Sequence, residues 1–105
     1  MIRVMLTFRS KKAEKKHIEL EGIDLNLSVV PRKHEAIKLS LKMLKEEDSN
    51  FAIIYKGVKD EYPIDFTVIE VCHALFEVDD DDDWGHAIIL VVQDSEEFFE
   101  DQYKL

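Results

Sequence analysis

The amino-acid sequence predicts an α+β domain built on a mainly antiparallel sheet of about five strands. Several short segments alternate or run apolar as strands do, and one longer segment has the periodicity of a helix. The 105 residues, 46% of them hydrophobic, are enough for one core and too few for two domains of ordinary size. We therefore expect residues 1–105 to form a single domain.

Three apolar runs predict strands. Residues 1–8 are apolar apart from one arginine and one threonine, which indicates a buried first strand. Residues 51–55 form a short apolar strand, and residues 86–93 form a longer one with a continuous apolar centre. These runs supply the centre of the predicted sheet.

The segment between the first strand and the predicted helix has two interpretations. Residues 9–16 are basic and predict a loop or a short helix. The period-2 alternation of residues 23–30 indicates a half-buried strand, with Gly22 as a turn or bulge after an earlier strand at 18–20. The alternative is a helix over residues 11–20 that ends at Gly22.

Two helices are predicted. Residues 32–47, which follow Pro31, place their apolar side chains on one side and lysines on the other, as a long amphipathic helix does. Residues 95–103 form a short C-terminal helix, with Asp94 as its cap and acidic residues in its first turn, where they complement the helix dipole.

Residues 64–78 fit both a strand and a helix. As a strand, the even-numbered residues form an apolar face that only Glu70 interrupts. A helix would group them less well and would be followed by five aspartates, which the dipole disfavours at a C-terminus. We choose the strand, leave the helix open, and interpret residues 79–85 as the loop to the next, antiparallel strand.

The charge is unevenly distributed along the chain. Residues 1–50 hold 11 Lys and Arg against 8 Asp and Glu, a net charge of +3, whereas residues 51–105 hold 3 against 15, a net charge of −12. Such an acidic half repels nucleic acid and anionic lipid and attracts cationic surfaces. The lone Cys72 suits a reducing compartment, and neither a membrane span nor a signal peptide is apparent, so we expect a cytoplasmic protein.

The run of five aspartates does not match a calcium-binding loop. An EF-hand that started at Asp79 would have Trp84 where glycine is required and Leu90 in place of the bidentate glutamate. No metal site is therefore predicted, although weak cation binding by this loop is left open.

The histidines and the cysteine do not form a recognisable catalytic or zinc motif. Cys72 and His73 are neighbours on a predicted strand and would face opposite ways. The remaining histidines lack the spacing of a zinc site, and no nucleotide-binding or hydrolase motif occurs. We therefore expect that the protein is not an enzyme and binds no cofactor. An enzyme that uses His73 or His86 with nearby carboxylates is the last-ranked of the functional hypotheses.

The acidic region is the predicted partner-binding surface. A tryptophan in a loop is costly unless it packs on the domain or on a partner, and tryptophan is enriched at binding hot spots. Dense negative charge beside such an anchor favours a basic protein, above all a nuclease, whose cleft is cationic. The predicted surface comprises Asp79, Asp80, Asp81, Asp82, Asp83, Trp84, Asp94, Glu96, Glu97, Glu100 and Asp101.

In size, acidity and expected α+β build, the chain resembles the immunity proteins of bacterial polymorphic-toxin and contact-dependent growth-inhibition systems. The resemblance extends over the whole chain but rests on no motif. It implies one-to-one binding to a toxin domain as a protein inhibitor, with a monomer as the default state. The alternative is a small accessory or regulatory subunit of a bacterial complex, in which the aspartate loop only increases solubility.

Overall fold

The structure, a computed structural model, describes residues 2–77 and 84–103. Its elements, in chain order, are β1 (Ile2–Arg9), α1 (Lys11–Lys15), β2 (Ile23–Leu27), β3 (Ala36–Ser40), α2 (Leu41–Glu47), α3 (Asn50–Ile54), β4 (Pro63–Glu77), β5 (Trp84–Asp94) and α4 (Ser95–Tyr103). The predicted α+β class is confirmed. Within the described part of the chain, no helix is both long and apolar enough to cross a membrane.

The strands form one five-stranded sheet in the order β2-β1-β5-β4-β3. The pairs β1–β2, β4–β5 and β3–β4 are antiparallel. β1 and β5, which are far apart in the chain, are parallel and need a long crossover between them. The sheet is therefore mixed, with mainly antiparallel pairing, and β5 lies at its centre.

The core lies on one face of the sheet. Leu6 of β1, Leu90 of β5 and Val68 of β4 are fully buried there. The helices cover this face with a second set of buried side chains: Ala13, Leu41, Leu44, Phe51 and Ile54. Phe8 joins the two layers, because its ring meets those of Phe51 and Phe66 edge-on at 5.0 and 5.2 Å between centroids.

The prediction of one long helix over residues 32–47 was wrong. The segment divides at Ser40 into β3, which pairs with residues 63–67 of β4, and the seven-residue α2. The Ser40 hydroxyl accepts a hydrogen bond from Met43 N and caps α2. Pairing with β4 outweighs the helical periodicity, because Leu39 is buried while its neighbours Lys38 and Ser40 are exposed.

The predicted strand at residues 51–55 was also wrong, since these residues belong to α3 and its end. A short apolar run does not distinguish a strand from a buried helical turn. Here Asp48 favours the helix, because its Oδ1 accepts a hydrogen bond from Asn50 N at 2.9 Å. Phe51 and Ile54 of this turn enter the core.

The basic segment forms a short helix, α1, and no strand exists at 18–20. α1 ends well before Gly22, because His17 adopts a positive φ of 55°. Ile18 N donates to Ala13 O and His17 N donates to Glu14 O, which is a Schellman motif. The following strand, β2, is also shorter than predicted and ends at Leu27.

The strand predicted at 64–78 is confirmed as far as Glu77, where β4 ends, while Val78 lies outside the described residues. α4 has the predicted bounds 95–103. One detail differs, because the β4–β5 register shifts between Val68 and Glu70. Such a bulge moves every later side chain of the strand to the opposite face. The even number of Cys72 predicted that it would lie on the core face, and this was wrong. His73 lies on the core face instead.

Candidate functional site

The candidate site is the outer part of the β4–β5 hairpin, which we call the arm and define as residues 72–77 and 84–87. Its strands pair only with each other among the described residues. β1 joins β5 from Ile88 onward, and β3 and the adjacent loop pair with β4 only as far as Val68. Both backbone edges of the arm therefore lack a strand partner within the described part of the chain.

The molecule is elongated in one direction. The principal dimensions are 49 × 33 × 28 Å, and the radius of gyration is 15.1 Å, compared with about 13 Å for a compact domain of this length. On the arm, Leu75 is 71% exposed, opposite His86. Leu75 is thus an exposed apolar side chain on the core-side face of the arm.

The last described pair of the arm is Glu77 with Trp84. The sequence predicted that residues 79–85 form a loop. This was wrong for Trp84 and Gly85, which belong to β5. The aspartates of the predicted surface, Asp79 to Asp83, lie outside the described residues. In the sequence they connect Val78 to Trp84, so they join the two strands of the arm.

His73 and His86 meet on the core-side face of the arm. His73 Nδ1 lies 2.9 Å from His86 Nε2, and the rings are nearly parallel, with 16° between their planes and 5.1 Å between their centroids. Sequence reasoning missed this pair, because the bulge before Glu70 changes the face of His73 and is not visible in the residue pattern. Among the described residues, no group of three or more His, Cys, Asp and Glu side chains could hold a metal ion.

Cys72 lies on the opposite face of the strand from His73, as the sequence predicted for neighbouring strand residues. Its Sγ is 3.4 Å from Glu70 Oε1. The hydrogen bond to this carboxylate raises the pKa of the Cys72 thiol, and partial burial acts in the same direction. A thiol with a raised pKa is a poor nucleophile near neutral pH.

Two carboxylates of the predicted surface instead stabilise the domain. Asp94 is 9% exposed, and its Oδ2 accepts a 2.6 Å hydrogen bond from the Tyr55 hydroxyl. Its Oδ1 accepts a hydrogen bond from Glu96 N, which confirms that Asp94 caps α4. Burial, followed by this contact with Asp94, raises the pKa of Tyr55.

Glu97 is the second of these carboxylates and is 6% exposed. Its two oxygens accept hydrogen bonds from Lys11 N and Lys12 N at 3.2 and 3.3 Å. Both donors lie in the first turn of α1, where helical N–H groups lack a partner within the helix. Glu97 therefore caps α1 from α4, a contact that no local sequence pattern predicts.

The other acidic residues of α4 differ in exposure. Asp101 accepts hydrogen bonds from the Lys11 ammonium and from Gln93 Nε2. The hydrogen bond to Asp101 is the largest cause of the raised pKa of Lys11. Glu96 and Glu100 are exposed, so they are the carboxylates of α4 most accessible to a partner.

No family model, no curated protein and no solved structure matches this chain.

Proposed function

We propose that this chain is a protein-binding inhibitor, of the kind represented by immunity proteins, that neutralises a basic protein through the acidic end of the arm. The proposal is supported by the place of the aspartate run in the sequence, between the two strands of the arm. The run joins the two strands of an extended hairpin whose edges have no strand partner among the described residues. A binding surface at such a position can reach into the cleft of another protein.

The charge of this end supports a cationic partner. Residues 77–83 carry six carboxylates and no lysine or arginine. Complementary charge of this density accelerates association, to about 10⁸–10⁹ M⁻¹ s⁻¹ at low salt. A nuclease is the favoured target, because a cleft that binds a polyanion is itself positively charged.

Leu75 and the backbone edges of the arm, which lack a strand partner among residues 2–77 and 84–103, support a direct contact in addition to long-range attraction. An unpaired strand edge offers backbone donors and acceptors to an extended segment of a partner. The exposed Leu75 side chain adds apolar area to such a contact, and the sequence offers Trp84 as a candidate aromatic anchor.

The contribution of α4 to the proposed surface is smaller than its acidic composition indicates. Asp94 and Glu97 are buried and accept hydrogen bonds inside the domain, so their charge is directed inward. Glu96 and Glu100 remain the exposed members. A reducing cytoplasm, which the single cysteine favours, is the proposed compartment of the inhibitor.

Affinity capture from the native host tests the proposal with two variants of equal charge change. The test variant replaces Asp79 to Asp83 by Asn. The control variant replaces five exposed glutamates outside the arm by Gln: Glu14, Glu19, Glu21, Glu46 and Glu47. The proposal requires a basic protein that is recovered at low salt by the wild type and by the control but not by the test variant.

A second result would identify a different class of function. If one partner is recovered in equal amounts by all three proteins and remains bound at high salt, the aspartates do not carry the interaction. The chain would then be an accessory subunit that is held by other contacts, and the proposed inhibitor function would be wrong.

A further inference from the structure

The β4 edge of the arm has the length and the backbone groups of a strand-pairing surface. The loop before β3 contacts β4 at Val68, whose N–H donates to Glu35 O at 2.9 Å and whose carbonyl accepts from His34 N at 2.6 Å. From there to Glu77, β4 has no strand partner on this side among the residues that the structure describes. An unpaired edge of this length is a template for an added strand.

The backbone groups of Val71, His73 and Leu75 are directed at this edge. Val68 has its side chain on the core face and both of its backbone groups on the β3 side. Side-chain face and backbone direction alternate together along a strand, and one extra residue in a bulge shifts both. The three residues lie on the core-side face beyond the bulge, so they repeat the arrangement of Val68.

We propose that this edge pairs antiparallel with the same edge of a second copy of the chain, around a two-fold axis at His73. His73 is the midpoint of residues 69–77, the part of β4 that has no partner on this side among the described residues. In this register each Val71 lies opposite Leu75 of the other copy, and the two His73 residues lie opposite each other. Residues that oppose each other with their backbone groups directed inward exchange both N–H···O bonds.

Leu75 supplies the apolar part of the contact. Its side chain is 71% exposed, and in the dimer it lies over Val71 of the other copy. A groove of about 590 Å³ lies beside Val71, and Val30 and Pro31 form its apolar wall. Leu75 of the second copy therefore passes from water to an apolar surface, and the two-fold axis forms this contact twice.

Charge favours the antiparallel direction and this occupant. Arg32 and Lys33 are exposed and line the same groove. Antiparallel pairing places Glu77 of one copy beside residue 69 of the other, near these cations, and the sequence adds five aspartates shortly after Glu77. Parallel pairing would bring the two acidic segments together instead. At physiological salt, charges more than about 8 Å apart are largely screened, so adjacent opposite charges outweigh the repulsion between two chains of net charge −9.

The dimer does not depend on the proposed function, because it concerns only contacts between copies of this chain. Sedimentation equilibrium of the untagged chain at physiological salt, from micromolar to millimolar concentration, tests it. We expect a reversible rise in mass from one chain to two. In amide hydrogen exchange, the amides of Val71, His73 and Leu75 should gain protection as the concentration rises.

A pair of variants at His73 tests the backbone contact. His73→Pro removes the N–H at the edge, and proline is tolerated on an edge strand. The dimer should weaken by at least about tenfold, because the two-fold axis removes two hydrogen bonds at once. His73→Ala is the matched control, since it also removes the imidazole but keeps the N–H, and it should dimerise as the wild type does.

A second pair of variants tests the charge contact. Arg32→Glu combined with Lys33→Glu should weaken the dimer by about tenfold or more, since like charges then face each other. Lys56→Glu combined with Lys59→Glu makes the same change in charge at exposed positions outside the arm and should leave the dimer intact. Circular dichroism checks that every variant is folded. The proposal is overturned if the wild type stays a monomer, if His73→Pro dimerises as well as His73→Ala, or if both charge variants lose affinity equally.

Discussion

The hydroxyl of Tyr55 donates a hydrogen bond of 2.6 Å to Asp94 Oδ2, and this contact joins the end of α3 to the start of α4. Both residues are buried, at 8% and 9% exposure. Asp94 is the last residue of β5, the central strand. Its carboxylate caps α4 through Glu96 N and also binds Tyr55 at the end of α3. An acidic residue that the sequence assigned to a partner surface has a structural role in the domain.

Tyr55→Phe should destabilise the domain by about 1.5–3 kcal/mol, because it leaves a buried carboxylate oxygen without its donor. The matched control is Tyr62→Phe, in which the tyrosine is 62% exposed and the expected change is within about 0.5 kcal/mol. Chemical denaturation measures both. Equal stability of the two variants would mean that the Tyr55–Asp94 hydrogen bond contributes nothing to the fold.

The raised pKa of Tyr55 predicts a loss of stability at high pH. Below about pH 10 the phenol is protonated in both states; above it the unfolded chain releases this proton while the folded chain keeps it. The free energy of unfolding should then fall by up to about 1.4 kcal/mol per pH unit from this group. Lys11, whose pKa is also raised, acts in the same direction, so the comparison with Tyr55→Phe isolates the phenol.

Denaturant unfolding between about pH 9 and pH 11 checks this sign. The wild type should lose its stability advantage over Tyr55→Phe as the pH rises through this range. A constant difference between the two proteins would contradict the buried position of the phenol.

Glu97→Ala should destabilise the domain by about 1–3 kcal/mol, because it removes the acceptor for two N–H groups of α1. Glu96→Ala and Glu100→Ala make the same change at exposed positions of the same helix and should remain within about 0.5 kcal/mol of the wild type. Thermal unfolding ranks the three variants. If the melting temperature of Glu97→Ala is no lower than those of Glu96→Ala and Glu100→Ala, Glu97 does not stabilise α1.

Leu75→Ala should weaken partner binding by about tenfold, or about 1.4 kcal/mol, because it removes apolar contact area from the proposed interface. Its high exposure means that stability should change by less than about 0.5 kcal/mol. Val29→Ala is the matched control, since Val29 is 73% exposed and lies outside the arm. Calorimetry with the captured partner gives both affinities, and equal values would exclude Leu75 from the interface.

The sequence predicted the fold class, β4, β5 and α4, because their patterns are long or carry a clear cap. It failed where a decision depended on distant contacts. The spacing of Leu39 and Ser40 fits a helix, yet these residues belong to β3, an edge strand that pairs with residues 63–67 of β4. The short apolar run at 51–55 fits either state by pattern. Its helical state is stabilised by the Asn50 N–Asp48 hydrogen bond and by packing of Phe51 against Phe8 from β1.

The candidate site was predictable in composition but not in geometry. The acidic residues are visible in the sequence, whereas the division between buried and exposed carboxylates is not. Glu97 and Lys11 are 86 residues apart in the chain, and no periodic pattern reports such a contact. The bulge before Glu70 likewise determines that His73 meets His86, and nothing in the residue types of β4 indicates where the extra residue lies.

The proposed function requires that Asp79 to Asp83, which join the two strands of the arm in the sequence, bind a cationic partner. The salt dependence of the affinity for that partner tests this requirement. The wild type, the Asp79 to Asp83 Asn variant and the five-glutamate control are titrated with the purified partner at several salt concentrations. At low salt the Asn variant should bind about 60-fold more weakly and show a flatter salt dependence, since five charge pairs at about 0.5 kcal/mol each are lost. The control should retain the affinity and the slope of the wild type. Equal loss in both variants would show that only net charge matters and would contradict a binding surface at the arm.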